Sequence, residues 1–184
     1  MNQIGDPILF PDLPTSQKEE LDRALFKAKL QGQEANIAGK LCEQAIEAAF
    51  KLRDIPVRSY NGRAAADFFD KRILFRNAPF TSLYHSLSKS EFLYVHNELR
   101  VRIECRVQTV PGSVDEKFPY LMRNAEQHMP EQHIWLIIEG VGARAKAMDW
   151  IRGEAKRIMT KHIRIMNLSE GQKAVKHLVE QGKA

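Results

Sequence analysis

The sequence predicts a three-layer α/β domain built around a mixed β-sheet, and three observations carry that expectation. The stretch from Ser90 to Gln108 alternates with the period of two that a strand imposes. His133 to Glu139, HIWLIIE, is an almost unbroken apolar run, as expected of a strand covered on both faces. Around these lie segments with helical spacing: helices first, then the hairpin, then strand and helix in alternation, an order that layers helices against a sheet.

Size and composition bound the answer. At 184 residues the chain is read as a single domain over 15–184, preceded by an irregular arm over 1–14 with Pro7, Pro11 and Pro14. Charged residues make up 28% and hydrophobic residues 43%, ordinary for a soluble globular protein. No apolar run approaches the ~18 residues of a membrane span. The opening MNQIGDPILFPDLP lacks the charged lead and long apolar segment of a secretory signal. Cys42 and Cys105 lie far apart inside predicted elements, which fits reduced thiols in the cytoplasm better than a disulfide. The six histidines are scattered and no Cys/His cluster has zinc spacing. A net charge of +5 and a pI near 9.2 suit a polyanionic partner. Arg144, Lys146, Arg152, Lys156, Arg157, Lys161 and Arg164 concentrate positive charge late in the chain, which a solvated helix face also explains.

Taken in order, Thr15 or Ser16 is a candidate N-cap for a helix to about Leu30, with Leu21, Leu25 and Phe26 inward and Gly32 as its breaker. A second helix, about Glu34 to Arg53, places Ile37, Leu41, Ala45, Ala48 and Leu52 at helical spacing and Glu43 and Glu47 four apart. Pro56 stops it, and Val57 to Tyr60 is a short or edge strand. A short helix is expected around Ala64 to Phe69. Arg72 to Arg76 is a strand, followed by a loop, APFTSLYHSLSKS, anchored by Phe80 and Tyr84. After Pro111-Gly112, Ser113-x-x-Glu116 matches a capping box and opens a helix to about His128, with Pro119 early in it. Gly140-x-Gly142 lacks both G-x-G-x-x-G and the Walker lysine spacing, so it is a plain turn. A third long helix runs from about Arg144 to Thr160, anchored by Met148, Trp150 and Ile151. His162 to Met166 is a strand, and Ser169 caps a last helix carrying Val175, Leu178 and Val179. No repeat or low-complexity segment interrupts the chain.

The hairpin carries the chemistry. Leu99, Val101, Ile103, Cys105 and Val107 fall on one face; Arg100, Arg102, Glu104, Arg106 and Gln108 fall on the other. Asn97-Glu98 suits a two-residue turn, because Asn tolerates positive φ. Pairing His96 with Leu99 then sets Val95 against Arg100, Leu93 against Arg102, Glu91 against Glu104 and Lys89 against Arg106. Two carboxylates facing each other across a ladder repel unless a cation joins them, and a hard divalent ion takes such oxygens. The same pattern also describes the wet face of an ordinary antiparallel hairpin, and a slip of one residue would separate the acids.

The run EFLYVHNELRVRIECRVQTVPGSVDEKFPYLMRNA, followed by IWLIIEGVGARAKAMDWI, resembles a branch of the PD-(D/E)XK nuclease superfamily, the restriction-endonuclease-like proteins. There an acid on one strand precedes an E-C-K-x-Q strand and a G-S-V-D-E-K helix start. The likeness covers about Arg72 to Arg152, and GKLCE (Gly39 to Glu43) resembles the N-terminal helix with its accessory acid. The resemblance implies a restriction-endonuclease-like domain. In it Glu91 is the first metal-binding acid and Glu104 the second, the Cys105 carbonyl completes the metal shell, Gln108 matches the motif glutamine, and Glu43 is accessory. The implied cofactor is Mg²⁺ or Mn²⁺. Arg106 stands where the pattern has lysine. Arginine keeps the electrostatic role, since its fork suits phosphate oxygens, but it is no base with a pKa above ~12. Lys117 and Lys89 are the candidates to stand in.

Two readings follow. In the first the protein is a Mg²⁺-dependent DNA endonuclease, its activity lowered by Arg106, with Arg100, Arg102 and Lys89 on flanking phosphates. The resemblance adds a homodimer, because double-strand cleavage by one-site domains usually takes two copies. In the second, Arg106 marks a catalytically silent relative, a DNA-binding or protein-binding regulator of a mobile element that keeps the nuclease fold.

Overall fold

The computed structural model describes residues 15–62, 71–108, 117–140, 144–182 and 184, and side chains from 32 onward apart from Ala35. The N-terminal arm, the helix expected around Ala64 to Phe69, the capping box at Ser113 to Glu116 and the Val141-Gly142 end of the glycine turn lie outside the described residues.

The alternating hairpin forms as the turn chemistry requires. Strands β3 (Leu87–His96) and β4 (Leu99–Val107) pair antiparallel, His96 against Leu99, Val95 against Arg100 and Leu93 against Arg102. Asn97 takes the left-handed conformation at φ 52°. Strand β2 (Ile73–Thr81) pairs antiparallel with β3, and the short edge strand β1 (Val57–Ser59) runs parallel to β2. On the other side β5 (His133–Glu139) and β6 (His162–Met166) add in parallel, giving a six-stranded mixed sheet in sequence order.

Helices cover both faces. Helix α1 (Thr15–Lys51) and α4 (Leu168–Gln181) pack on one side, burying Cys42, Ile46, Phe50, Val175 and Leu178 against Tyr94, Ile103, Trp135 and Ile137. Helix α2 (Lys117–Arg123), which runs on into a π-helical turn over Asn124–His128, and α3 (Ala145–Arg157) pack on the other, against Ile134, Leu136, Ile138 and Ile163. The apolar run of β5 is thus divided between the layers residue by residue, which is why it does not alternate.

Several expectations need correction. Helix α1 continues through Gly32 as one 37-residue element; a single glycine costs a helix only ~1 kcal/mol relative to alanine. Ile37 and Leu41 lie on its exposed side, Leu52 is exposed in the turn after its end, and the core face is Cys42, Ile46, Ala49 and Phe50, so the stripe is displaced by one residue. The alanines on both stripes made the two indistinguishable by spacing. The side chains of Leu21, Leu25 and Phe26 are outside the described set. The loop expected after Arg76 is mostly strand: β2 runs to Thr81 and β3 starts at Leu87, around a turn in which the Ser82 and Ser86 hydroxyls hydrogen-bond. Phe80 is partly buried against the α2/α3 layer, whereas Tyr84 is exposed and stacks on Tyr120. Trp150 is exposed too; Ile151 and Ala155 anchor α3. The cap of α4 is Asn167, which accepts from the Glu170 amide while Glu170 accepts from its own, a closed capping box two residues ahead of Ser169.

Candidate active site

Strand β4 is central, and the face that carries Arg102 and Glu104 is not wet. Both residues are only 2% exposed. Arg102 donates from Nε and Nη2 to the Glu131 carboxylate, and from Nη1 to the Ala78 carbonyl and the Ser90 hydroxyl. Its guanidinium also lies over the Phe80 ring. The expectation that Arg102 meets flanking phosphates is therefore corrected: every strong donor direction is already engaged inside the protein. Arg100 and Lys89 are exposed, Lys89 pairing across to Pro79 on β2. Lys117 is the exposed first residue of α2.

Two ladders are interrupted at Glu91. On the β2 side the register passes from Arg76–Phe92 to Ala78–Ser90, skipping Asn77, whose φ of 56° turns its backbone out of the strand. On the β4 side the pairing ends at Phe92–Ile103, one step short of Glu91 and Glu104. In place of a backbone partner, the Cys105 amide donates to Glu91 Oε2 at 2.9 Å. The strands part here, and β4 continues with β5 as far as Val107.

Arg106 closes the gap. Its Nη1 donates to Glu91 Oε1 and to the Cys105 carbonyl, each at 3.0 Å, and its Nη2 donates to Glu104 Oε1. One guanidinium thus joins the two acids just past the point where the ladder ends. The remaining oxygen, Glu104 Oε2, is buried without a hydrogen-bond partner. Burial pushes the Glu104 carboxyl well above the ordinary carboxylate range, the charge of Glu91 adds to this, and Arg106 opposes it. Burial works against the Arg106 charge in turn, yet Glu104 and Glu91 outweigh it and hold its pKa above the usual value.

Beside this cluster a cleft of about 450 Å³ opens between α1 and strands β2 and β3, lined by Lys40, Glu43, Glu47, Lys51, Arg76 and Glu91 among others. Glu43 faces it half-buried, its pKa raised by burial and by Glu91. Glu47 is gripped by Arg76 through two hydrogen bonds of 2.5 Å and by Lys51 at 2.7 Å. These contacts, led by Arg76, hold its carboxyl down at about 2. Gln108 is buried just past β4, where its backbone N–H donates to the Glu139 backbone carbonyl. Cys105 turns toward α1, where its thiol and that of Cys42 share a hydrogen bond that lowers Cys42 and raises Cys105; both are free thiols.

Of the sequence candidates, then, Glu91, Glu104, Arg106 and the Cys105 carbonyl meet, Glu43 lies nearby across the cleft, and Arg102 is withdrawn into the core. Sequence reading missed Glu131, Glu47 and Arg76. Glu131 carried one signal, a lone acid between Pro130 and an apolar strand, but nothing linked it to Arg102 twenty-nine residues earlier.

Whether the residues fit a divalent ion is decided by their donor atoms. Glu91, Glu104 and the Cys105 carbonyl offer hard oxygens only, and Glu104 Oε2 is an orphaned buried acceptor of the kind a cation satisfies. Among the described residues no group of three or more His, Cys, Asp or Glu side chains is arranged to hold a metal. No helix among the described residues is long and apolar enough to cross a membrane. Neither the curated proteins nor the solved structures contain a match to the chain. The family model of the PD-(D/E)XK nuclease superfamily domain matches residues 34–179.

Proposed function

The chain belongs to the PD-(D/E)XK nuclease superfamily, and from that premise we propose that it is a divalent-metal-dependent DNA endonuclease whose site is Glu91, Glu104, Arg106 and the Cys105 carbonyl. The observation that carries this reading is the meeting of Glu91 and Glu104 around one cation at the point where β3 and β4 separate.

Glu91 and Glu104 would hold Mg²⁺ or Mn²⁺ with the Cys105 carbonyl. When bound, the ion supplies Lewis acidity toward water and the phosphate oxygens. Arg106 stabilises negative charge developing on the phosphate, a task that its planar fork performs well. Gln108, buried just past β4, is the motif residue that would orient the attacking water or the phosphate. Glu43 stands as accessory acid across the cleft. Arg100 and Lys89 take flanking phosphates, and scission of both strands calls for two copies of the chain.

The test is cleavage of plasmid DNA in Mg²⁺ or Mn²⁺. The wild-type protein should convert supercoiled plasmid, and Glu104→Ala should lose at least ~10²-fold in rate. Arg100→Ala should weaken DNA binding and lower its salt dependence by roughly one phosphate contact. Cleavage that survives in Glu104→Ala, or none from wild-type protein shown to bind the ion, would end the proposal. The second outcome would favour a silent nuclease-fold protein that binds DNA or a partner protein, a reading that the grip of Arg106 on both acids supports.

A further inference from the structure

We infer that Arg106 is the resident cation of this site, and that a divalent ion binds by displacing its guanidinium from Glu91, Glu104 and the Cys105 carbonyl. The inference rests on the proposed metal site and adds what occupies it beforehand. Three acceptors that an ion would use each already receive an N–H from this one side chain. A lysine ammonium at the same position is a point charge on a flexible stem and lacks the planar fork that spans separated acceptors. The guanidinium does span them, and it is almost always charged, so it neutralises a carboxylate pair that would otherwise repel.

The geometry also shows how exchange can proceed. Glu104 Oε2 is a buried acceptor that Arg106 leaves without a partner, so the site holds one more oxygen for an ion than the guanidinium uses. Arg106 is half exposed, with 48% of its side chain accessible, so it can swing outward without disturbing the core. Once released, the same fork is free to take the oxygens of a phosphate. Binding of the ion thereby frees the group that grips the substrate, and without the ion the arginine and the acids cancel each other.

The experiment is titration of the full-length chain with Mn²⁺ by calorimetry, comparing wild type, Arg106→Lys and Arg106→Ala, with folding checked by thermal unfolding. If Arg106 must leave, both variants bind Mn²⁺ about 10- to 100-fold more tightly than wild type, the lost contacts acting as removed competition. Arg106→Lys is the discriminating variant, because it keeps the charge and loses the fork. A lysine variant that binds like wild type would show simple charge repulsion and overturn the inference. Equal or weaker binding by both variants overturns it as well. As a direct readout, arginine side-chain NMR of the wild type should show one guanidinium changing from restricted to free rotation on addition of Mg²⁺; an unchanged spectrum at saturating ion counts against displacement. None of these readouts uses cleavage, so the inference can stand where the nuclease reading fails, and fail where that reading stands.

Discussion

Arg102 and Glu131 form a salt bridge almost wholly out of water, with side-chain exposures of 2% and 5%. Such a pair gains little net stability over apolar side chains of the same shape, yet loss of one partner strands the other's charge. Arg102→Met should therefore destabilise the protein by about 3–5 kcal/mol in urea unfolding, while adding Glu131→Leu should recover much of that. Two losses that simply add would mean that the side chains act independently. The position of Arg102 explains this role: its donors tie the Ala78 carbonyl on β2 and the Ser90 hydroxyl on β3 to the connection ahead of β5. Ser90 is the neighbour of Glu91. The buried arginine thus holds the frame from which Glu91 projects, while Arg106, two residues beyond Glu104 and still accessible, acts on the acids themselves. Alternation placed both arginines on one face and could not tell them apart, because depth depends on which helices close over which part of the strand.

Gly140 sits just past the end of β5, against Gln108, the residue that follows β4. Its φ is 105°, and a Cβ there would come within 2.1 Å of the Gln108 carbonyl oxygen. Gly140→Ala meets both a conformation open to glycine and a collision with backbone, so it should destabilise by at least about 2 kcal/mol and weaken Mn²⁺ binding as the end of β4 shifts. An alanine variant with unchanged stability and metal affinity would mean that the turn relaxes freely. In the sequence this glycine was legible only as a turn. The hairpin was far more legible: Asn97 and a period of two gave its register through Leu93–Arg102. Glu91 and Glu104 could be brought side by side from the same reasoning. What pattern could not supply was the break in both ladders at Glu91, which depends on Asn77 taking positive φ in a segment that read as loop-adjacent strand.

Helix α1 and the sheet meet at the cleft, and an ionic tie crosses it. Glu47 on α1 is bonded by Arg76 on β2, as well as by Lys51 one turn along its own helix. The strand order and mixed sheet followed from the succession of elements, but the seating of α1 did not, because its apolar stripe was assigned one residue out of place. With Cys42 and Ile46 inward instead, Glu43 and Glu47 turn to the cleft rather than to open solvent. This seating has a pH signature. Glu47 is held at about 2 in the folded chain, below the ~4.3 of an unfolded glutamate. The unfolded chain therefore takes up the proton first as acid is added. The stability from Glu47 is complete above about pH 4.3 and is lost as pH falls toward 2. Because Arg76 is largely accessible, solvent screening limits the contribution to about 1 kcal/mol. Glu47→Gln should lower stability by that amount at neutral pH, and its curve should converge on wild type between pH 4 and 2. Parallel curves across that interval would place the acid sensitivity elsewhere and leave α1 held by its apolar face alone.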